Sequence, residues 1–347
     1  MGHDVGMHQA LPSPAIPRSA DLPPALCILG LGLIGGSLAR AAQPVIPVIG
    51  WSPSEGTRAA AAEDGYQVAD SLENALGAAV QRDALVVLAA PVTTFRPLLS
   101  AIDEHAPEVR LTDVASVKAV VQDDVAELAP RARYIGSHPM AGTAASGWSA
   151  GTDSLFRGAA WVTCLTDDSD IDDWATVAGL ALAVGSRVVP ADPQAHDAAV
   201  ARISHLPHLM ALALAQVGEH GGALALSLAA SSFADATRVA GTRPELIRAM
   251  CETNREALIG AMDDALGIMG VARGSLASTG SLLKIAEAGH RARTAFDGRA
   301  DQLVQVRLDG DDMVDQLLSV GAAGGHVSGI DRGGHGLTVQ AWYPDLD

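Results

Sequence analysis

The chain has 347 residues, 48% hydrophobic and 18% charged, long enough for two cores and too apolar for a disordered chain. Forty acidic against 23 basic side chains give a net charge of −17, which argues against nucleic acid or an anionic membrane as partner. Cys27, Cys164 and Cys251 are widely spaced with no CxxC, so neither a disulfide framework nor a thiolate metal site is implied. With no uninterrupted apolar run of about 18 residues and no basic-then-apolar leader, the expectation is a soluble cytoplasmic protein.

Residues 1–24 carry five Pro and little apolar periodicity, and are expected to form a mobile leader. From residue 25 short apolar runs recur at 25–29, 45–50, 84–90, 109–114, 134–135, 160–165 and 187–189, the pattern of strands buried on both faces. Helix-like segments lie between them, at 36–42, 55–64, 72–80, 94–104, 118–128 and 171–183, so the strands are expected to form a mainly parallel sheet. After about residue 191 the strands stop, and 192–218, 224–240, 243–260 and 261–293 are Ala/Leu-rich with helical spacing. Residues 297–347 return to a strand–helix–strand pattern. The predicted fold is an α/β Rossmann-type dinucleotide-binding domain (25–191) followed by an all-α helical domain (192–296) and a small C-terminal extension (297–347).

The first strand runs directly into Gly30-Leu31-Gly32-Leu33-Ile34-Gly35, which opens a helix. Glycines at this spacing permit a tight turn and close approach of backbone N–H groups to a pyrophosphate at the positive helix end. Gly30, Gly32, Leu33, Ile34 and Gly35 are therefore candidate cofactor contacts, with Ser52, Ala90, Pro91 and Ser116 at the ends of later strands. An acid closing the second strand would read a ribose 2′-hydroxyl and mark NAD. Here Ser52 stands at that place, with Glu55 three residues on and Arg58 beyond it. The cofactor is expected to be NAD, mildly favoured because Glu55 is the nearer, with NADP as the alternative.

Ser116, in Asp113-Val114-Ala115-Ser116-Val117-Lys118, can cap the next helix or point at a substrate hydroxyl. Lys118, one of only two lysines, is either a solvated helix residue or part of the site. His138, in Gly136-Ser137-His138-Pro139-Met140-Ala141-Gly142-Thr143, closes a strand and would face the nicotinamide, where an imidazole suits a general base. In the helical region Ser204 and His208 are four apart and share a face. No third ligand joins His205 and His208 at metal spacing, so no metal is predicted. Asp235 three residues before Arg238 reads either as a surface ion pair or as an Arg fork for a substrate carboxylate, positioned by the acid.

Taken in order, GLGLIGGS, DVASVK, GSHPMAGT, SHLPH and DATR resemble the prephenate/arogenate dehydrogenases of tyrosine biosynthesis over residues 26–295. The resemblance implies an NAD(P)-dependent oxidative decarboxylation of prephenate to 4-hydroxyphenylpyruvate, with arogenate as the alternative substrate. It implies that His138 is the catalytic base, that Ser116 hydrogen-bonds near the reacting hydroxyl, and that Arg238, His208, Thr143, Ser204 and Asp235 line the substrate pocket. It also implies a homodimer formed through the helical domain, and the extension is too short for a complete ACT-type tyrosine site. Two departures stand out: Ala144 replaces an acid common after the Thr of this segment, and Ser231-Ser232-Phe233 replaces Gly-Gly-Phe. A β-hydroxyacid dehydrogenase would need a helical-domain catalytic lysine, and Lys284 sits in no motif. A dinucleotide sensor without turnover is countered by the joint presence of His138, Ser116 and Arg238.

Overall fold

β1 (Leu26–Leu29) is buried along its whole length, as its unbroken apolar run dictates. The computed structural model describes residues 22–143, 145–297, 301–333 and 336–344. The expected leader up to residue 21, and Ala144, lie outside the described residues. After β1 come α1 (Leu33–Ala42), β2 (Val48–Trp51), α2 (Glu55–Glu63), β3 (Gln67–Val68), α3 (Leu72–Gln81) and β4 (Leu85–Leu88). α4 (Phe95–His105), β5 (Arg110–Asp113), α5 (Ala119–Leu128) and β6 (Arg133–Tyr134) complete the first half. These six strands form one parallel sheet in the order β3-β2-β1-β4-β5-β6, the doubly wound arrangement. Side chains start two of its helices, α2 and α3: Ser54 accepts from the Thr57 N–H at 3.2 Å and Ser71 from the Asn74 N–H at 3.2 Å.

The next strands do not extend that sheet. β7 (Gly136–Pro139), β8 (Ala160–Cys164), α6 (Ile171–Ala183) and β9 (Arg187–Ala191) begin a second, mixed sheet, with β7 antiparallel to β8 and β8 parallel to β9. The single mainly parallel sheet expected from alternation is corrected to two, because the link from β6 to β7 is one residue long and cannot make a parallel crossover.

The helical region follows. α7 (Pro193–Val200) is capped by Asp192, and a π-turn at Ala201–His205 leads into α8 (Leu206–His220). Pro207 has no N–H to give the carbonyl one turn back, which favours such a widened turn. α9 (Gly222–Ser227), α10 (Ser231–Thr237), a 3₁₀ turn (Arg238–Gly241), α11 (Pro244–Thr253), α12 (Arg255–Ser278) and α13 (Leu283–Asp297) complete it. The expected break near residue 260 falls at Asn254 instead, whose amide donates to the Asp197 carbonyl at 2.8 Å, while α12 runs straight through Gly260. The run Pro193–His220 is long and apolar enough to cross a membrane by length and composition. It nevertheless carries buried His196, Asp197 and His205, which bond to other elements, and α10 and α12 pack against it.

The C-terminal residues are not a separate appendage. β10 (Asp301–Leu308), α14 (Met313–Ala322), β11 (His326–Gly333) and β12 (Gly336–Pro344) complete the second sheet in the order β10-β12-β11-β9-β8-β7. β11 escapes a sequence reading because Ser328, Gly329 and Asp331 interrupt its alternation, and the register shifts between Val327 and Gly329. Leu317 and Val339 share one core cluster with Trp161, Trp174 and Leu38 of the dinucleotide-binding half. α14 lies so close on β9 that a Cβ at Gly321 would stand 1.7 Å from the Pro190 carbonyl oxygen. Gly321→Ala must therefore push α14 off the sheet, and a loss of about 1–3 kcal/mol is expected in denaturant unfolding. An unchanged midpoint would show that this contact does not exist.

Candidate active site

The site grows from the carboxyl ends of β1, β4 and β5, where ligands of open α/β sheets bind. Gly30 holds φ +112°, and a Cβ there would stand 2.6 Å from the Ala89 backbone; one on Gly35 would strike the Gly30 carbonyl oxygen at 1.9 Å. Both positions admit only glycine, which lets α1 start hard against the strand ends. A Cβ on Gly32, by contrast, would meet open space. Gly32 makes no side-chain cap, so the N–H groups of Leu33, Ile34 and Gly35 open α1 without intrahelical acceptors. A cavity of about 530 Å³ lies beside them, lined among others by Gly30, Gly32, Ser52, Ala90, Pro91 and Gly147. Unmatched donors at a helix start next to a roomy cleft fit a dinucleotide pyrophosphate. Leu33, Ile34 and Gly35 do not line the cavity, so any contribution from them is through backbone N–H groups or packing.

Beyond β5 the chain builds a buried charged post. Lys118 is 1% exposed, which overturns its alternative reading as a solvated helix residue. Its ammonium pairs with Asp113 and donates to the Ser137 carbonyl at 2.7 Å, and Asp113 also accepts from the Tyr134 hydroxyl at 2.7 Å. Such a pair is costly to bury and destabilising to break, so it ties the end of β5 firmly to β7. Ser116 does not cap α5. That task falls to Asp197 of α7, whose carboxylate accepts from the Lys118 N–H at 2.8 Å and the Ala119 N–H at 3.0 Å. The half-buried Ser116 hydroxyl has no bond among the described residues and is left for another partner.

His138, on β7, reaches His196 with Nδ1 at 2.9 Å from its Nε2, and His196 in turn places Nδ1 2.8 Å from Asp197 Oδ1. A carboxylate only accepts, so His196 carries its proton on Nδ1 and offers a lone pair at Nε2. His138 must then donate from Nδ1, which leaves its Nε2 unprotonated and able to take a proton. Loss of water around His138, with the charges of His196 and Lys118, holds its pKa well below the ordinary histidine value. Burial also lowers His196, although its bond to Asp197 opposes the shift. Burial works against the charge of Asp197, but bonds from His196 and the Ala119 and Lys118 N–H groups outweigh it and keep the carboxyl below its usual range. Nothing in the sequence reading singled out His196 or Asp197. The available signal was an adjacent His-Asp pair behind an N-capping Asp192-Pro193.

In α8, His208 Nδ1 lies 2.8 Å from the Ser204 carbonyl and so donates to it. The shared face of Ser204 and His208 thus works through the Ser204 backbone. His205 is buried beside Asn254, whose amide lies 3.1 Å from its Nδ1, and burial pushes its pKa down to about 4. Arg238 and Asp235 are both exposed and form no ion pair with each other, which corrects the i,i+3 pairing anticipated for them. The 3₁₀ turn that begins at Arg238 packs on α8, the helix that carries His208. Thr143 is exposed, and its hydroxyl accepts from the Ala145 N–H at 3.2 Å.

Comparison with known proteins bears on both halves of the chain. The family model for the nucleotide-binding domain of prephenate dehydrogenase matches residues 34–190, and that for the prephenate dehydrogenase dimerization domain matches residues 192–268. A prephenate dehydrogenase of Bacillus subtilis is 30% identical over 69% of this chain and 66% of its own length, so this chain spans about two thirds of that relative. A cyclohexadienyl dehydrogenase of Zymomonas mobilis is 31% identical over 78% of this chain and 95% of its own. Among solved structures, a candidate prephenate dehydrogenase of Corynebacterium glutamicum superimposes with a TM-score of 0.82 at 44% identity, covering 87% of this chain and 98% of that one. An arogenate dehydrogenase of Synechocystis gives a TM-score of 0.68 at 29% identity, covering 79% and 99%.

The three depressed histidines make stability depend on pH. Below the ordinary histidine pKa of about 6.5 the unfolded chain takes up protons that folded His138, His196 and His205 refuse, so the native state loses free energy as pH falls. The melting temperature should hold from pH 8 to 7 and then drop between about 6.5 and 4, the lower value being that of His205. A melting temperature that rises across this window would contradict the assignment.

Proposed function

The chain belongs to the prephenate dehydrogenase family of NAD-dependent oxidoreductases, and from that premise we propose that it converts prephenate to 4-hydroxyphenylpyruvate by oxidative decarboxylation. The observation that carries the reading is the His138–His196–Asp197 chain, which leaves an unprotonated imidazole nitrogen on β7, a strand that Lys118 ties through the Ser137 carbonyl to Asp113 at the carboxyl end of β5.

Prephenate carries a C4 hydroxyl and, at C1, a carboxylate whose loss aromatises the ring. A nicotinamide held in the cleft would supply the acceptor for the C4 hydride. His138 Nε2 bears the hydroxyl proton while C4 is oxidised and returns it to the phenolic oxygen once CO2 has left, so no proton is consumed. His196 and Asp197 hold that tautomer throughout, and the buried Asp197 carboxylate stabilises the imidazolium as it forms. Ser116, with its hydroxyl unengaged, orients the substrate hydroxyl. Arg238 anchors a carboxylate of the dianion by its planar fork, with His208, Ser204, Thr143 and Asp235 completing that wall.

His138→Asn should lower kcat by roughly 10²–10⁴-fold, and Asp197→Asn, which permits the wrong tautomer, by about 10²-fold or more. Arg238→Ala should act mainly on KM, because a carboxylate held alike in ground and transition states contributes uniform binding. Steady-state rates with prephenate check all three, and near-full kcat for His138→Asn sinks the mechanism. Running arogenate in parallel tests the substrate: a higher kcat/KM for arogenate would overturn prephenate while keeping the base.

The helical region has a thin core of its own, with Ile247, Cys251 and Leu258 buried, while Leu214, Val217, Leu266, Ile268 and Val271 stand exposed. We infer that a second copy covers these faces in a two-fold homodimer, as the matched dimerization model supports. Light scattering at micromolar protein should give twice the chain mass, and a monomer would contradict the pairing.

A further inference from the structure

Asn254 stands buried between α11 and α12. An asparagine at a helix start ordinarily turns its side-chain oxygen onto the N–H groups of its own helix. Here α12 has no side-chain cap, although the Asn254 backbone carbonyl accepts from the Leu258 N–H at 3.0 Å. The side-chain nitrogen instead donates to the Asp197 carbonyl at 2.8 Å and lies 3.1 Å from Nδ1 of buried His205, in the π-turn. A carbonyl only accepts, so the nitrogen and not the oxygen of the amide must stand at this point. Its second N–H then has His205 Nδ1 as acceptor, and the neutral His205 ring carries its proton on Nε2, the opposite tautomer to His138 and His196. His205 Nε2 is itself buried without a partner among the described residues, so the bond from Asn254 is what holds this ring. A favourable local cap is thus given up for two bonds to distant elements, the kind of conflict between local preference and fold that marks a residue serving a site. One of those bonds ends on Asp197, whose carboxylate sets the proton on His196.

We propose that Asn254 is a positioning residue for the general base: it grips Asp197 by the backbone while the Asp197 carboxylate grips His196, and so keeps the proton of His138 on Nδ1. The inference rests on the His138 mechanism proposed above. Asn254→Asp and Asn254→Ala test it. Aspartate has the same shape and caps a helix as well as asparagine, so a residue that only started α12 would lose nothing by the change, whereas both donors are gone. Small misplacements imposed from outside a site cost up to about 10²-fold, so kcat with prephenate should fall roughly 10–10²-fold in each variant, while KM for prephenate and for the dinucleotide moves by no more than about threefold. Ring ¹⁵N shifts of the full-length protein should show His205 protonated on Nε2 in the wild type, and His196 populating both neutral tautomers in the variants. A kcat within about twofold of the wild type in both variants, or a single unchanged His196 tautomer in them, overturns the positioning role. A wild-type His205 protonated on Nδ1 overturns it too, and that measurement needs no variant to fold. If the wild type leaves prephenate unchanged, the proposed substrate fails, and a His196 tautomer lost in the variants still upholds the grip on Asp197.

Discussion

The Asp197 carboxylate accepts hydrogen bonds from the Lys118 and Ala119 N–H groups at the start of α5 and from the His196 ring. The first two fasten the helical region to the dinucleotide-binding half, and the third sets which nitrogen of His196, and hence of His138, carries a proton. Asn254 adds a fourth tie through the Asp197 carbonyl, which also fixes where α11 stops and α12 starts. One residue thus couples the relative placement of two structural units to the protonation state of the candidate base. A carboxylate in this role must stay ionised, and the bonds it accepts keep it so against the pull of burial.

The Lys118–Asp113 pair does complementary work on the other side of His138. Lys118 Nζ holds the carbonyl of Ser137, the residue just before His138, and Asp113 Oδ1 accepts from the Ala115 N–H at 2.7 Å, just before Ser116. The two segments that carry Ser116 and His138 are therefore referred to one buried ion pair. The positive charge also disfavours protonation of the nearby imidazoles, which suits a base that must be neutral before it acts.

Much of this architecture was legible from sequence. The glycine loop after β1, the shift to helices after residue 191, and the alternation of strands and helices to β6 apart from the two-residue β3, which no apolar run marks, follow from local pattern, and the structure has them nearly where the pattern puts them. Long-range pairing was not legible. Nothing local tells that β9 pairs with β11 about 140 residues away, where Val188 faces Val327, or that α14 shares a core with Trp161 and Trp174. The same limit applied to the site. His138 announced itself between glycines and before a proline, but the His196–Asp197 pair needs the fold to bring it across 58 positions. The capping role given to Ser116 failed for a related reason, since Asp197, distant in sequence, competes for the same N–H groups. Lys118 was ambiguous because a lysine at a helix start is ordinarily solvated, and only the contact with Asp113 and β7 reveals its burial.

Ring ¹⁵N chemical shifts read the proton positions on His138 and His196 directly. In protein labelled at histidine nitrogens, at pH 7, with His138 assigned by loss of its signals in His138→Asn, both His138 and His196 should be neutral with the proton on Nδ1. A His138 ring protonated on Nε2, or present as imidazolium at that pH, would contradict the account.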